Sequence, residues 1–336
     1  MKNIALFFSL IAFLSFIFFK VYIKLKILEV KTKDEFTKFK RSKLQTGGGI
    51  VFVIIFFLIL LISSSFQIIE INLPKNFLYF CLSSLLLSII CFLDDKYNLN
   101  PTFRFSIQLF VVYVALSSVP HMTNLLEVKI NILIAVILWV YILNIVNFID
   151  GADGFCSILS ISFFLNAIII CSFYNLITFS MTISLIAISI LIIFLIFFNL
   201  PPAKIFMGDT GSVFLGFLIG FVIIELSYYG YFLLILSAFA YPLLDVSITL
   251  VLRILKGRKP WERLSDFFFL IPKKKISYQK NFLSIDKKIL LVGSLYLFFS
   301  FLTLQMSIYK QWHYIALLNF IFSFCLILLF KFRINR

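Results

Sequence analysis

The stretch "NFIDGADGF", residues 147–155, places two carboxylates and two glycines between two apolar segments. Residues 130–149 before it and residues 155–174 after it are almost entirely apolar. A helix needs about 20 apolar residues to cross the hydrocarbon core of a bilayer. The stretch therefore predicts a short polar connection between two transmembrane helices, and its carboxylates need an explanation.

The rest of the chain has the same character. Of the 336 residues, 62% are hydrophobic, 45 are Phe, and the mean hydropathy is +1.08. These values lie far outside the range of soluble domains. We expect an all-α, polytopic membrane protein in which residues 1–336 form one transmembrane catalytic domain. No small-residue cleavage pattern follows the first apolar segment, so we expect that segment to be retained. We predict about eleven transmembrane helices, at residues 4–22, 49–69, 76–93, 102–120, 130–149, 155–174, 178–198, 211–229, 231–252, 289–308 and 312–330.

The distribution of Lys and Arg predicts the orientation of these helices. Every second connection between the predicted helices lies on the same side of the membrane. These connections and the C-terminal residues 331–336 together hold 26 of the 30 Lys and Arg residues. By the positive-inside rule, this side is cytoplasmic, with the N-terminus outside and the C-terminus inside. The net charge of +15 then follows from topology and from attraction to anionic lipid, and it does not require a nucleic acid partner.

Five unusual polar clusters fall on this predicted cytoplasmic side. They are "TGGGI" (46–50), "FLDDKYNLNPTFRFSIQ" (92–108), "NIVNFIDGADGF" (144–155), "NLPPAKIFMGDTGS" (199–212) and "RILKGRKPWERLSDFFF" (253–269). Each cluster alone could be a helix end, a cap or a plain turn. Their convergence predicts one polar site, built from cytoplasmic loops 23–48, 94–101, 150–154, 199–210 and 253–288.

The residue types of these clusters indicate phosphoryl transfer. Carboxylate oxygens suit Mg²⁺, with Mn²⁺ as the alternative ion, and helix N-termini after glycine turns suit phosphate oxygens. Positioning and charge neutralisation carry most of the catalysis in such reactions. The location in a membrane predicts a lipid substrate. The cations available to neutralise phosphate charge are Arg104, Lys204, Arg258 and Arg263.

The motifs "LDD" (93–95), "NIVNFIDGADG" (144–154) and "PPAKIFMGDTGS" (201–212), in this order, resemble the polyprenyl-phosphate N-acetylhexosamine-1-phosphate transferase family. Eleven helices and "YPLLD" (241–245) are more similar to its O-antigen-initiating branch than to its ten-helix peptidoglycan branch. The resemblance implies transfer of a sugar 1-phosphate from a UDP-N-acetylhexosamine to undecaprenyl phosphate, with release of UMP. It implies a site that faces the cytoplasm in the bacterial inner membrane.

The resemblance also implies roles for particular residues. Asp209 matches the Mg²⁺ ligand, and Asp94, with Asp95 beside it, matches the carboxylate that assists the acceptor phosphate. Asp150 and Asp153, with Asn147, match the cluster on the nucleotide side. The remaining positions that match substrate-binding residues are Asn199 and Phe206 in the uridine pocket and Arg104 near the phosphates. Lys204 and Arg263 are further substrate-binding candidates because of their charge, not because of the resemblance. A phosphate monoester is already mostly ionised at pH 7, so Asp94 has little to gain as a general base.

The chain departs from the family pattern in the large loop. Asp266 stands where the O-antigen branch tends to have His, and we expect Asp266 to pair with Arg263 or Lys259 or to point away from the phosphates. Asp245, inside a predicted helix, could pair with Arg253 or line the acceptor groove. The five cysteines form no C-x-x-C pair and indicate neither a zinc site nor a disulfide framework.

Two alternatives remain at this point. One is the phospho-N-acetylmuramoyl-pentapeptide transferase of peptidoglycan synthesis. The other, a membrane transporter, would place its binding site near the middle of the bilayer, whereas these carboxylates lie at helix ends. The donor sugar and the formation of a homodimer are left open.

Overall fold

The computed structural model describes residues 2–27, 45–66, 73, 76–97, 99–119, 132–260, 266–270, 289–298 and 312–332. These residues form helices and connections, with one isolated β-bridge between Gln45 and Ile205 and no strand within the described ranges. The helices are α1 (Lys2–Leu25), α2 (Gly49–Phe66), α3 (Phe77–Tyr97), α4 (Pro101–Leu116), α5 (Ile132–Ile149), α6 (Phe155–Phe173), α7 (Phe179–Phe194), α8 (Gly208–Tyr228), α9 (Phe232–Ser237), α10 (Ala240–Leu255), α11 (Ile289–Phe298) and α12 (Trp312–Phe332).

Helix α8 is the centre of the bundle. Its span is buried on all sides, and helices α2, α3, α5, α6, α7 and α9 pack around it. Two glycines of α8 allow α5 to pack closely against it. A Cβ at Gly216 would lie 2.8 Å from the Cα of Leu143, and a Cβ at Gly220 would lie 2.0 Å from the Trp139 side chain. The indole N–H of Trp139 donates to the carbonyl of Phe217 at 3.1 Å. Small residues serve this purpose in packed membrane helices generally.

Each of the eleven predicted segments overlaps at least one helix of the structure. The protein is thus an all-α, polytopic membrane protein, as predicted. The predicted helix 231–252 is split into α9 and α10, with a break at residues 238–239. Pro242 explains the position of the break, since a proline within the first turn of a new helix interrupts no backbone hydrogen bond.

Length and composition alone qualify six helices of the described chain to cross a membrane, namely those at residues 7–25, 77–97, 132–149, 155–173, 179–199 and 208–228. The number eleven and the orientation of the chain therefore stay predictions. Helices α8 and α10 give the orientation a simple test, because they run in opposite directions. Tyr229 follows the end of α8, and Lys256 follows the end of α10; both residues are exposed.

We expect an impermeant thiol reagent to reach Lys256→Cys only from the cytoplasmic side and Tyr229→Cys only from the outside. The measurement uses intact and permeabilised cells, in a background whose five native cysteines are replaced by alanine. The physical reason is the asymmetric distribution of Lys and Arg. Labelling of both positions in intact cells would show that the predicted topology is wrong.

Candidate active site

Three charged side chains from three helices meet at one end of the bundle. Arg104, in the first turn of α4, donates through Nη1 to Oδ2 of Asp209 at 2.8 Å and to Oδ2 of Asp94. Asp94 is 3% exposed, whereas Asp209 is 24% exposed and forms the open side of the group. The other oxygen of Asp94 accepts the backbone N–H of Leu99 at 2.7 Å, which fixes the connection between α3 and α4. One guanidinium nitrogen thus joins two carboxylates that would otherwise repel each other.

Asp95 has a different environment from its neighbour Asp94. Its Oδ1 accepts the backbone N–H of Asp209 at 3.0 Å, and its Oδ2 accepts the backbone N–H and the hydroxyl of Thr210 at 3.0 and 2.6 Å. Met207, which precedes α8, supplies no side-chain cap of its own. Asp95 therefore caps α8 from another helix, and its charge is favourable at the positive end of the helix dipole. This geometry favours a structural contribution of Asp95 to the site, in holding Asp209 in place.

The residues of this group fit a divalent ion of the Mg²⁺ type. Two carboxylate oxygens, from Asp94 and Asp209, converge on a single cationic nitrogen, and hard cations prefer oxygen ligands. Within the described ranges, no set of three or more His, Cys, Asp or Glu residues could form a complete protein cage for a metal ion. Mg²⁺ is usually bound by only one or two carboxylates, with substrate phosphates and waters as its other ligands. Asp94 and Asp209 match this kind of incomplete site.

The glycine-rich segment Thr46–Gly49 lies directly against the start of α8. The N–H groups of Gly48 and Gly49 donate to the carbonyls of Phe206 and Met207 at 3.1 and 2.9 Å, and the Phe206 N–H donates to Gln45. A Cβ at Gly49 would lie 2.0 Å from the Cα of Gly211, so the two backbones touch. This contact requires glycine at both positions, because no shift of a side chain would make room.

Gly49→Ala is expected to separate the glycine-rich segment from α8 and to lower both the melting temperature and the activity, with a loss of stability of about 1–3 kcal/mol. The neighbouring Gly48→Ala is the matched control. A Cβ at Gly48 would lie 3.0 Å from the flexible end of Ile205 and 3.2 Å from the carbonyl oxygen of Phe206, which is far less crowded than the 2.0 Å contact at Gly49. Melting curves in detergent compare the two variants. Equal effects of the two substitutions would contradict the importance of the backbone contact.

The predicted connection at residues 150–154 is confirmed as a turn, since α5 ends at Ile149 and α6 begins at Phe155. Asn147, Asp150 and Asp153 therefore do not share one face of a continuous helix. Asn147 accepts the hydroxyl of Ser212 at 2.9 Å, which ties α5 to the first turn of α8. Asp153 accepts the backbone N–H of Ala203 at 3.0 Å, which ties the turn to the next loop. Asp150 lies between these two anchor points.

The buried side chain of Asn199 stabilises the loop that contains Asn199, Lys204 and Phe206. Asn199 ends a π-helical turn, accepts from the Gly154 N–H and the Ser157 hydroxyl at 3.1 and 3.0 Å, and donates to the Ile205 carbonyl at 3.3 Å. The side chain of Phe206 is buried, whereas Lys204 is exposed and donates through Nζ to the Phe197 carbonyl at 3.0 Å. Lys204 is thus the side chain of these three that is most open to a solvent-borne ligand.

Comparison with known proteins connects this geometry to a family. Residues 77–227, which contain the whole carboxylate group and both anchored loops, match the sequence profile described as glycosyl transferase family 4. This central segment of the chain is therefore similar to the family, and the match covers 151 of the 336 residues.

Three curated relatives share parts of the chain. It is 39% identical over 134 residues to a protein of Bacillus subtilis named probable undecaprenyl-phosphate N-acetylglucosaminyl 1-phosphate transferase. It is 31% identical over 202 residues to the phospho-N-acetylmuramoyl-pentapeptide-transferase of Staphylococcus saprophyticus, and 26% identical over 212 residues to the decaprenyl-phosphate N-acetylglucosaminephosphotransferase of Mycolicibacterium smegmatis. These matches cover 37%, 53% and 52% of this chain and 37%, 60% and 51% of the relatives.

The large loop lies outside the segment matched to glycosyl transferase family 4. Arg263 is among the residues that the structure does not describe. The structure shows the partners of the two acidic residues for which the sequence left alternatives, Asp266 and Asp245. Asp266 pairs with Arg253 and not with Lys259, whereas the other expected partner, Arg263, lies outside the described residues. Asp245 does not pair with Arg253 either, since its carboxylate accepts backbone N–H groups of residues 268 and 269. Arg253 is buried, so its guanidinium can form hydrogen bonds only with groups that pack directly against it.

Three hydroxyl side chains beyond the predicted site residues also support this site. The hydroxyls of Thr210 and Ser212 bind Asp95 and Asn147, and the Tyr22 hydroxyl donates to the Thr46 carbonyl at 2.9 Å. Thr210 directly follows Asp209, and Ser212 is two residues further along α8. Hydroxyl residues near the start of a helix commonly form hydrogen bonds there, so the sequence pattern could have indicated these two residues. No comparable signal exists for Tyr22, which lies inside an apolar segment.

Proposed function

We propose that this protein transfers an N-acetylhexosamine 1-phosphate from a UDP-sugar to undecaprenyl phosphate and releases UMP. The observation that carries the proposal is the carboxylate pair of Asp94 and Asp209, joined by Arg104, at the N-terminus of α8 within the family segment. The names of two relatives support an N-acetylglucosamine 1-phosphate as the transferred group. The reaction would be the first membrane step of O-antigen or related cell-envelope polysaccharide synthesis.

The chemistry needs little more than positioning and charge neutralisation. An oxygen of the lipid phosphate attacks the phosphorus next to the sugar, and the bond from that phosphorus to the oxygen bridging to UMP breaks. Because the attacking phosphate is already mostly ionised at pH 7, no carboxylate must remove a proton. Mg²⁺, held by Asp94 and Asp209, would neutralise charge on the pyrophosphate as the bond breaks. Mn²⁺ could take the same place.

The side chains of the site have separable tasks in this proposal. Arg104 contributes a fixed positive charge beside the phosphates, and its planar guanidinium can bind two phosphate oxygens at once. Asp95 keeps the first turn of α8, and with it Asp209, in place. Asp153 joins the turn at residues 150–154 to the loop at residue 203, so that Asp150 and Asp153 form one wall of the site on the nucleotide side.

The location of the site supports a lipid acceptor. The helices that carry Asp94 and Arg104 expose large apolar residues on their outer faces, as expected where a lipid chain approaches from the bilayer. We place the site on the cytoplasmic side of the bacterial inner membrane, because the predicted topology assigns these helix ends to the side that is rich in Lys and Arg. A transporter would need its polar group near the middle of the bilayer, whereas this one lies at helix ends.

The test incubates the purified protein with undecaprenyl phosphate, MgCl₂ and one UDP-sugar at a time, and measures UMP. The panel contains UDP-N-acetylglucosamine, other UDP-N-acetylhexosamines and UDP-N-acetylmuramoyl-pentapeptide. We expect UMP release only with a UDP-N-acetylhexosamine and only with the acceptor and the metal present. Release with the muramoyl-pentapeptide donor alone would favour the peptidoglycan reaction named for the Staphylococcus saprophyticus relative. No release with any donor would contradict the proposal.

A further inference from the structure

Asp245 and Arg253 lie two turns apart on α10, and both are completely buried. Neither belongs to the carboxylate group around Asp209. Asp245 accepts the backbone N–H groups of Phe268 and Phe269 at 3.0 and 3.3 Å and the Tyr241 hydroxyl at 3.0 Å. A buried carboxylate is costly unless such donors surround it. The donors here include two consecutive N–H groups of the short 3₁₀ turn Phe268–Leu270, so Asp245 fixes the backbone of that turn.

Arg253 fixes the residues on both sides of the same loop. Its guanidinium donates to both carboxylate oxygens of Asp266 and, at 2.8 Å, to the carbonyl of Pro260. The guanidinium carbon lies 4.7 Å from the centre of the Phe267 ring, within the range of a cation–π interaction. Together the two buried charges hold the segment Asp266–Leu270 at its side chains and at its backbone.

The rings of this segment contact the two aromatic rings that flank the polar turn of the candidate site. The ring of Phe267 lies 5.5 Å from that of Phe148, which precedes the turn at residues 150–154. The ring of Phe269 is stacked on that of Phe155, which follows the turn, at 4.8 Å. The two loop rings are themselves 6.1 Å apart. The four aromatic rings thus bracket the turn that carries the predicted nucleotide-side carboxylates.

We propose that Asp245 and Arg253 are positioning residues for the donor side of the site. They act through the rings of Phe267 and Phe269, which set the conformation of the turn containing Asp150 and Asp153. Loss of either charge releases segment 266–270, and the turn loses its aromatic support. The kinetic part of this inference rests on the proposed function, whereas its structural part does not.

The test compares Asp245→Asn with the matched control Glu225→Gln. Both acids are buried and accept a backbone N–H, but Glu225 binds Ser180 and lies about 24 Å along α8 from Asp209. An amide keeps the volume of the carboxylate and replaces one acceptor oxygen with a donor, so one of the two N–H groups at residues 268 and 269 loses its partner. Hydrogen exchange in detergent, followed by mass spectrometry, reports the turn at residues 150–154 without requiring activity.

We expect Asp245→Asn to speed exchange at residues 150–154 about tenfold, as local opening of a released turn predicts, and Glu225→Gln to leave it unchanged. We also expect the KM for the UDP-sugar to rise about tenfold, with the KM for undecaprenyl phosphate and kcat changed less than about threefold. Asp245→Glu is expected to restore part of the donor affinity, because it keeps an acceptor-only carboxylate.

If Asp245→Asn does not fold, Phe269→Leu serves in its place, since it removes the ring stacked on Phe155 and retains the bonds to Asp245. Faster exchange at residues 266–270 alone, with residues 150–154 unchanged, would overturn the inference. An equal rise in the KM values of donor and acceptor would do the same. Absence of UMP release by the wild-type protein would contradict the proposed function instead, and the exchange experiment would still decide the positioning role.

Discussion

Asp209→Asn is expected to lower UMP release by roughly 10³-fold while the protein stays folded. The carboxylate of Asp209 faces Arg104 at the open side of the site. In the proposed reaction, its charge would act where the phosphate and metal charges meet. Asp95 caps α8 through the backbone N–H of Asp209, and the Asp209→Asn substitution leaves this backbone group unchanged. Function and fold are therefore separable at this position.

Asp95→Asn is the informative comparison for that prediction. Asp95 is used by three donors at the start of α8, so the amide should lower the free energy of unfolding by about 1 kcal/mol, as for other lost helix caps. Melting curves and initial rates of UMP release, measured on the same preparations, distinguish the two variants. An Asp209→Asn protein that keeps more than a tenth of the wild-type rate would refute the assigned role of this carboxylate.

Metal removal gives an independent readout at the same residue. We expect EDTA to stop UMP release by the wild-type protein and added Mg²⁺ or Mn²⁺ to restore it. Binding of Mn²⁺, followed by electron paramagnetic resonance without substrates, should be weaker in Asp209→Asn, because one of two protein ligands loses its charge. Full activity in EDTA would show that Asp94 and Asp209 hold no required metal.

The helices could be predicted well from the sequence because a membrane imposes long, apolar segments. The structure places helices at all the predicted segments, and the polar turn after Ile149 lies where the glycines indicated. The break between α9 and α10 was missed because an apolar composition continues through it. Pro242 is evident in the sequence, but a proline breaks a helix only in its interior and is tolerated in its first turn, so the position of the break did not follow from the sequence.

The sequence indicated which segments form the candidate site, but it did not indicate which side chains contact one another. Asp94 and Asp95 are neighbours on α3, so their side chains point about 100° apart around the helix axis. One of them meets Arg104, and the other meets the start of α8. Sequence patterns cannot assign these directions without the packing of α8. The same holds for Arg253, whose partner Asp266 is 13 residues away along a loop with no regular period.

The position of Arg104 leads to the second prediction of large effect. Its Nη1 lies between the oxygens of Asp94 and Asp209, where a positive charge offsets the repulsion between the two carboxylates. Its Nε is buried and has no hydrogen-bond partner within the described part of the chain. The guanidinium therefore neutralises the carboxylate pair and retains a donor that a phosphate oxygen could use.

Arg104→Ala is expected to lower UMP release by roughly 10³-fold, comparable to the loss of an arginine that stabilises phosphoryl transfer elsewhere. Arg104→Lys should recover only part of the rate, because an ammonium group lacks the planar fork of the guanidinium. Lys256→Ala is the control, since Lys256 is an exposed cation directly after α10 that is not among the candidate phosphate-binding residues, and it should have a rate within about threefold of the wild type.

The binding of Mn²⁺ to Arg104→Ala, without substrates, separates two roles of the arginine. If the guanidinium and the metal share the space between Asp94 and Asp209, removal of the positive charge should make the pair a better ligand, and Mn²⁺ should bind more tightly even as turnover falls. If Arg104 only binds phosphate, turnover should fall with no change in Mn²⁺ affinity. Tighter metal binding with lost turnover would mean that the arginine balances the charge of the carboxylates until metal and pyrophosphate arrive together. Unchanged or weaker Mn²⁺ binding would contradict that account.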